Sequence, residues 1–173
     1  MPGLRYLAHY PEPLQAQVQE LLAGQRLGQM LRSKYSGVHT IQTDRALYDY
    51  VMAIKNEYLR KAEPLAKAIF DSKLHVVNHA LGTHTNVARV QGSKLKAKRE
   101  IRVAALFRNV PEPLLKMITV HELAHIKESQ HDKAFYQLCA HMEPNYHQLE
   151  FDLRLVLTHL DLVGPLDWGS SRS

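Results

Sequence analysis

Apolar positions along the chain fall into three regimes. In the first, Leu14, Val18, Leu21 and Leu22 follow Pro11 and Pro13 at three- to four-residue spacing, and Leu47, Val51, Ile54 and Tyr58 repeat the pattern after Thr43-Asp44. That is the period of one helix face. Proline suits a helix's first turn, and Thr43 or Asp44 suits a cap. The spacing therefore predicts a helix from Pro11 or Pro13 that fades by Ser36-Gly37, and a second from Thr43 or Asp44 that Pro64 kinks or restarts.

In the middle the period changes. His75-Val-Val-Asn-His79, Thr85-Asn-Val-Ala-Arg-Val90 and Glu100-Ile-Arg-Val-Ala-Ala-Leu-Phe107 are short, β-branched and bounded by Gly82, Gly92 and Pro111. They predict three strands of a small antiparallel sheet, with Ile101, Val103, Ala105 and Phe107 on one face. Helical spacing then returns. One helix opens at Pro111 and runs through Met117–Glu128. Another follows Asp132 with Phe135, Leu138, Cys139 and Met142 inward until Pro144, and a last carries Leu149, Leu153, Val156, Leu157 and Leu160 up to Gly164-Pro165. Helices, a small sheet and helices again make the class α+β.

At 173 residues the chain fits one domain, expected over residues 1–165 with a disordered tail at 166–173. Hydrophobic residues at 45% and charged residues at 23% exclude a disordered chain. No apolar run nears the roughly 18–20 residues that cross a bilayer, and the N-terminal MPGLRYLAHYPEP lacks a signal peptide's apolar stretch. A cytoplasmic protein with no membrane partner is expected. Cys139 is the single cysteine, which excludes an intrachain disulfide and an all-thiolate zinc site; on its helix's inward stripe it reads as core packing. Any metal must be held mainly by His, Asp or Glu.

Such residues stand together in the helix that opens at Pro111, as His121-Glu122-Leu123-Ala124-His125. Side chains at i and i+4 lie one above the other, so both imidazoles can reach one ion without backbone distortion. Glu122, about 100° round the helix, points beside that ion, where its carboxylate can take a proton from an attacking water. Chance supplies the pattern only about 0.04 times in a chain of this composition. Zinc in a hydrolytic site usually takes three protein ligands. His131 is the favoured third, six residues after His125 and just ahead of the cap Asp132, with Glu143 or Glu150 as the competing choice. The offset 121, 125, 131 equals that of the metzincin signature, except that Glu128 stands where that signature has glycine. Tyr136, Tyr146, His141 and His147 are candidates to stabilise an oxyanion. His75, His79 and His84 lack helical spacing and read as ordinary histidines.

The segment Met117-Ile-Thr-Val-His-Glu-Leu-Ala-His-Ile-Lys-Glu-Ser-Gln-His-Asp-Lys-Ala-Phe-Tyr136, with Met142-Glu-Pro-Asn-Tyr146, resembles the YgjP-like metallopeptidase domain, related to the WLM and SprT-like proteases. The resemblance implies a zincin-like core with a zinc ion on His121, His125 and His131, Glu122 as the catalytic glutamate, and a protein or peptide substrate. The family commonly carries Trp-Gly-Ser-Cys before the strand that precedes the motif; this chain reads Arg89-Val-Gln-Gly-Ser-Lys-Leu95 there.

Charge adds one more candidate. Residues 132–173 sum to −3, so residues 1–131 carry +8 of the net +5, densest at Lys94, Lys96, Lys98, Arg99 and Arg102. Alternating lysines protect an edge strand from pairing with other chains; the sharper alternative is a phosphate-binding face making weak nucleic-acid contacts, without an interleaved aromatic for base stacking. The expected function is zinc-dependent peptide hydrolysis. The alternatives are a catalytically silent zinc-stabilised module that binds nucleic acid or protein, and a zinc hydrolase of non-peptide amides.

Overall fold

The computed structural model describes residues 4–74, 82–91 and 94–169, with residues 82–91 and 94–98 described by their backbone alone. The N-terminal helical region is two helices, α1 (Glu12–Ala23) and α2 (Leu27–Lys34). Gln25 separates them, with φ 56 in the left-handed region. The Arg26 N–H donates to Leu21 O at 2.8 Å and the Gln25 N–H to Leu22 O at 3.1 Å, the bond pair that closes a helix C-terminus in a Schellman motif. The expected fade at Ser36-Gly37 is therefore preceded by a sharp stop. Helix α3 (Asp44–Tyr58) starts where expected, the Thr43 hydroxyl accepting from the Ala46 N–H. It ends before Pro64 because the buried Lys55 ammonium donates to Leu59 O and Ala62 O, satisfying carbonyls beyond its last turn.

Three strands follow: β1 (Leu65–Asp71), β2 (Gly82–Gln91) and β3 (Lys94–Ala104), in the order β1-β3-β2. β2 and β3 are an antiparallel hairpin, but β1 runs parallel to β3, so the sheet is mixed where an antiparallel one was expected. A register shift between Leu65 and Lys67 interrupts the alternation of β1 and hides its strand period. The expected strand at His75–His79 lies outside the described residues. The strand expected to reach Phe107 stops at Ala104, and Ala105–Asn109 winds into a 3-10 turn. Ala104 thus joins Ile101 and Val103 in the core instead of Ala105, and Phe107 is buried through the turn.

The remaining helices are α4 (Glu112–Ala124), α5 (Lys133–Met142) and α6 (Tyr146–Leu162), and the class is α+β. α4 is central. It packs on β2 and β3 on one side and on α3, α5 and α6 on the others, with nine of its 13 residues buried. Such a helix holds its side chains in fixed rotamers, which a geometric site needs. After α6 the chain folds back until Trp168, 8% exposed, packs edge-on against Tyr35 at 6.3 Å. The packed chain therefore extends three residues past the boundary expected at 165. No helix among the described residues is long and apolar enough to cross a membrane.

Candidate metal centre

α4 starts on Pro111 and Pro113 and ends at Ala124, leaving His121 in its last turn and His125 as the capping residue beyond it. The chain then turns tightly, with the Lys127 N–H on Ala124 O at 3.1 Å and the Glu128 N–H on the same carbonyl at 2.9 Å. Gln25 is the one non-glycine residue at positive φ among those described, so Glu128 makes this turn without the conformation that favours glycine. The return brings His131 to the start of α5, where Asp132 Oδ1 accepts from the Phe135 N–H at 3.0 Å. One helix end, one turn and one helix start thus deliver three imidazoles.

Each of His121, His125 and His131 offers a ring nitrogen, and the three nitrogens lie within 4.8 Å of one another. The His125 Nδ1–H donates to Glu128 O at 2.9 Å, which leaves the Nε2 lone pair free; that atom is 3.0 Å from His131 Nε2. Two lone pairs at such a distance repel unless a proton or a cation lies between them. Nitrogens sharing a tetrahedral zinc at 2.0–2.1 Å would be about 3.3 Å apart, so the spacing suits one small divalent cation. His121 Nδ1 is bonded to the Tyr146 hydroxyl at 2.7 Å, which leaves its Nε2 as the inward atom. The buried Phe135 ring is the floor, 4.9 Å from the ring of His121, 4.6 Å from that of His125 and 4.9 Å from that of His131.

Electrostatics favour the same use. Burial, then the charges of His125, His131 and Arg154, push the His121 imidazole down to about 3, so it is neutral at neutral pH. Burial also lowers His125, against the opposing pull of the Glu128 carbonyl. Glu122, 2% exposed, has its carboxyl pushed up to about 8 by burial, and its Oε2 lies 4.0 Å from His121 Nε2. A carboxyl that titrates close to neutral pH beside neutral imidazoles can both hold and release a proton, and a cation on those imidazoles would draw it towards the ionised, proton-accepting form.

The competing ligands lie elsewhere. Glu143 accepts from the Asn145 N–H at 3.1 Å and pairs with Lys116 at 3.5 Å, while Glu150 acts on the Tyr146 phenol. Neither belongs to the group of three. Of the oxyanion candidates, Tyr146 is fully buried on His121, and His141 packs edge-on against Tyr58. Tyr136 and His147 stand together at 5.5 Å, with Tyr136 6.5 Å from the ring of His131. Sequence reasoning missed the guanidinium of Arg154, although Tyr146, Glu150 and Arg154 recur every four residues along one face of α6.

The basic run divides. Arg99 pairs with Glu63, and Arg102 pairs with Asp71 at 3.1 Å and Glu100 at 3.4 Å. The side chains of Lys94, Lys96 and Lys98, and His75, His79 and the His84 side chain, lie outside the described residues. β3 is the central strand, but β1 pairs with it only from Arg99 onward, so the lysine stretch has β2 alone as a neighbour among the described strands. Cys139 is fully buried, as expected of a core residue.

Comparison with known proteins bears on what such a site does. The profile of the YgjP-like, metallopeptidase domain family matches residues 52–155. A protein of Escherichia coli (strain K12) named "UTP pyrophosphatase" is 60% identical over 162 residues, covering 94% of this chain and 97% of the relative. No solved structure matches the chain.

Proposed function

Because this chain belongs to the YgjP-like, metallopeptidase domain family, we propose that it is a zinc-dependent hydrolase whose substrate is UTP, from which it releases pyrophosphate. The observation that carries the hydrolase is the meeting of three imidazole nitrogens within 4.8 Å, with the buried Glu122 carboxyl 4.0 Å from one of them. The bond is suggested by the name of the 60% identical relative. His121, His125 and His131 would hold the ion, and Glu122 is the base. A divalent cation there supplies a Lewis acid that acidifies water and draws electron density from the group under attack.

The chain's own residues do the rest. Glu122 takes a proton as the water oxygen bonds to phosphorus; the anhydride bond between the α- and β-phosphates breaks, and pyrophosphate leaves with the bond pair. The fixed charge of Arg154, which acts on His121, lowers the potential against which a polyanion approaches. A second reading, hydrolysis of peptide bonds, is favoured by the His121-Glu122-Leu-Ala-His125 pattern itself, since the same base serves a carbonyl as well as a phosphoryl group.

One experiment separates them. Metal content is measured on the purified protein, and pyrophosphate release from UTP is followed beside cleavage of an unfolded protein. Wild type and Glu122→Gln are compared. Stoichiometric zinc with UTP hydrolysis that Glu122→Gln abolishes is expected. Protein cleavage without UTP hydrolysis establishes the peptidase, and hydrolysis that survives Glu122→Gln removes the role given to that residue.

A further inference from the structure

We propose that Tyr136 and His147 form the platform on which the pyrimidine ring of the nucleotide stacks, and that they set the preference for a nucleotide over a bare polyphosphate. The inference rests on the UTP reading and goes further, since it assigns a base site to side chains outside the metal centre. Tyr136 comes from α5 and His147 from α6, and their rings lie 5.5 Å apart at an interplanar angle of 36°. Tyr136 also lies 6.5 Å from the ring of His131, the outermost of the three histidines. An aromatic surface thus runs from the metal centre outward, at a separation comparable to the sugar that divides a nucleotide's base from its first phosphate.

Three features make this surface more than amphipathic covering. Tyr136 is held from behind by Phe135, edge-on at 5.1 Å, and by Tyr146 at 6.2 Å, so the ring is fixed by the residues that fix His121. His147 is exposed and Tyr136 half-buried, so the pair keeps open surface. His147 packs edge-on against Tyr146 at 5.5 Å, which keeps both rings in register with the site. A triphosphate brings its charge to the cation and leaves a flat, weakly hydrated base one sugar away. Neighbouring aromatic rings are the groups that hold such a base, because every base has a π-face.

The test uses full-length, metal-loaded protein and measures KM and kcat for UTP, together with inhibition by inorganic triphosphate, which has no base. Tyr136→Leu keeps apolar volume and removes the π-face; His147→Ala removes the exposed ring; Tyr136→Phe keeps the ring without the hydroxyl. Expected are a rise in KM of about fivefold or more in Tyr136→Leu and in His147→Ala, kcat within about twofold, and recovery of KM in Tyr136→Phe. Inhibition by inorganic triphosphate is expected to stay at the wild-type value throughout. An unchanged KM in both Tyr136→Leu and His147→Ala overturns the platform while UTP hydrolysis stands. An equal weakening towards inorganic triphosphate also overturns it, because the substitution has then disturbed the metal centre. Wild-type protein that does not hydrolyse UTP overturns the substrate reading and the platform with it.

Discussion

The Tyr146 hydroxyl lies 2.7 Å from Nδ1 of His121, joining the first residue of α6 to the last turn of α4. A metal ligand whose second nitrogen is tied down keeps one tautomer and one ring orientation, and losing such a partner typically weakens metal binding 10- to 100-fold. Tyr146→Phe keeps the fully buried ring and removes only the hydroxyl. Its zinc affinity, measured by competition with a chromophoric chelator, is expected to fall about 10- to 100-fold, while the melting point of the metal-free protein moves little.

His131 is exposed and held by the turn into α5, whereas His121 sits in the packed helix. Zinc at a hundred times its dissociation constant should stabilise the wild type by about 2.7 kcal/mol, seen as a higher melting point that a chelator reverses. In His131→Ala that increment should largely vanish with the apo melting point preserved. An equal zinc-induced shift in His131→Ala would remove that residue from the ligand set.

Proton linkage in the metal-free protein has a worked sign. His121 is held down to about 3 against an ordinary 6.5, so between these values the unfolded chain binds the extra proton and stability falls as pH drops. Glu122 is held up to about 8 against an ordinary 4.5, so over that range the folded chain binds the extra proton and stability falls as pH rises. The two oppose each other between about 4.5 and 6.5. Glu122→Gln should therefore steepen the loss on acidification over that window by about 1.4 kcal/mol per pH unit and abolish the loss between about 6.5 and 8. Denaturant midpoints of the two metal-free proteins across this range test it.

Cys139 is fully buried, and burial pushes its thiol up to about 12. Native protein should resist a thiol reagent at pH 8 and react fully once unfolded in denaturant. Rapid labelling of the folded protein would place the thiol outside the core.

What could be read from the sequence follows the range of the signal. Thr43, Asp132 and the His121, Glu122, His125 spacing act within one or two helical turns, so the caps and the face shared by the two imidazoles were legible. The stop at Gln25 was hidden because its glycine, Gly24, stands one residue before the left-handed position. β1 lost its alternation to the register shift after Leu65, and its parallel partner lies some 30 residues downstream, where no local period reports direction. The bond from Tyr146 to His121 spans 25 residues, and no periodicity within either helix encodes it.

The turn from His125 to His131 carries exposed Lys127, with one imidazole of the candidate centre at each end of it. An ion shared by the two ends makes this stretch a closed loop, and its absence leaves the loop open. Tryptic cleavage at Lys127 therefore becomes a gauge of occupancy in any mixture, without substrate and without a spectroscopic metal.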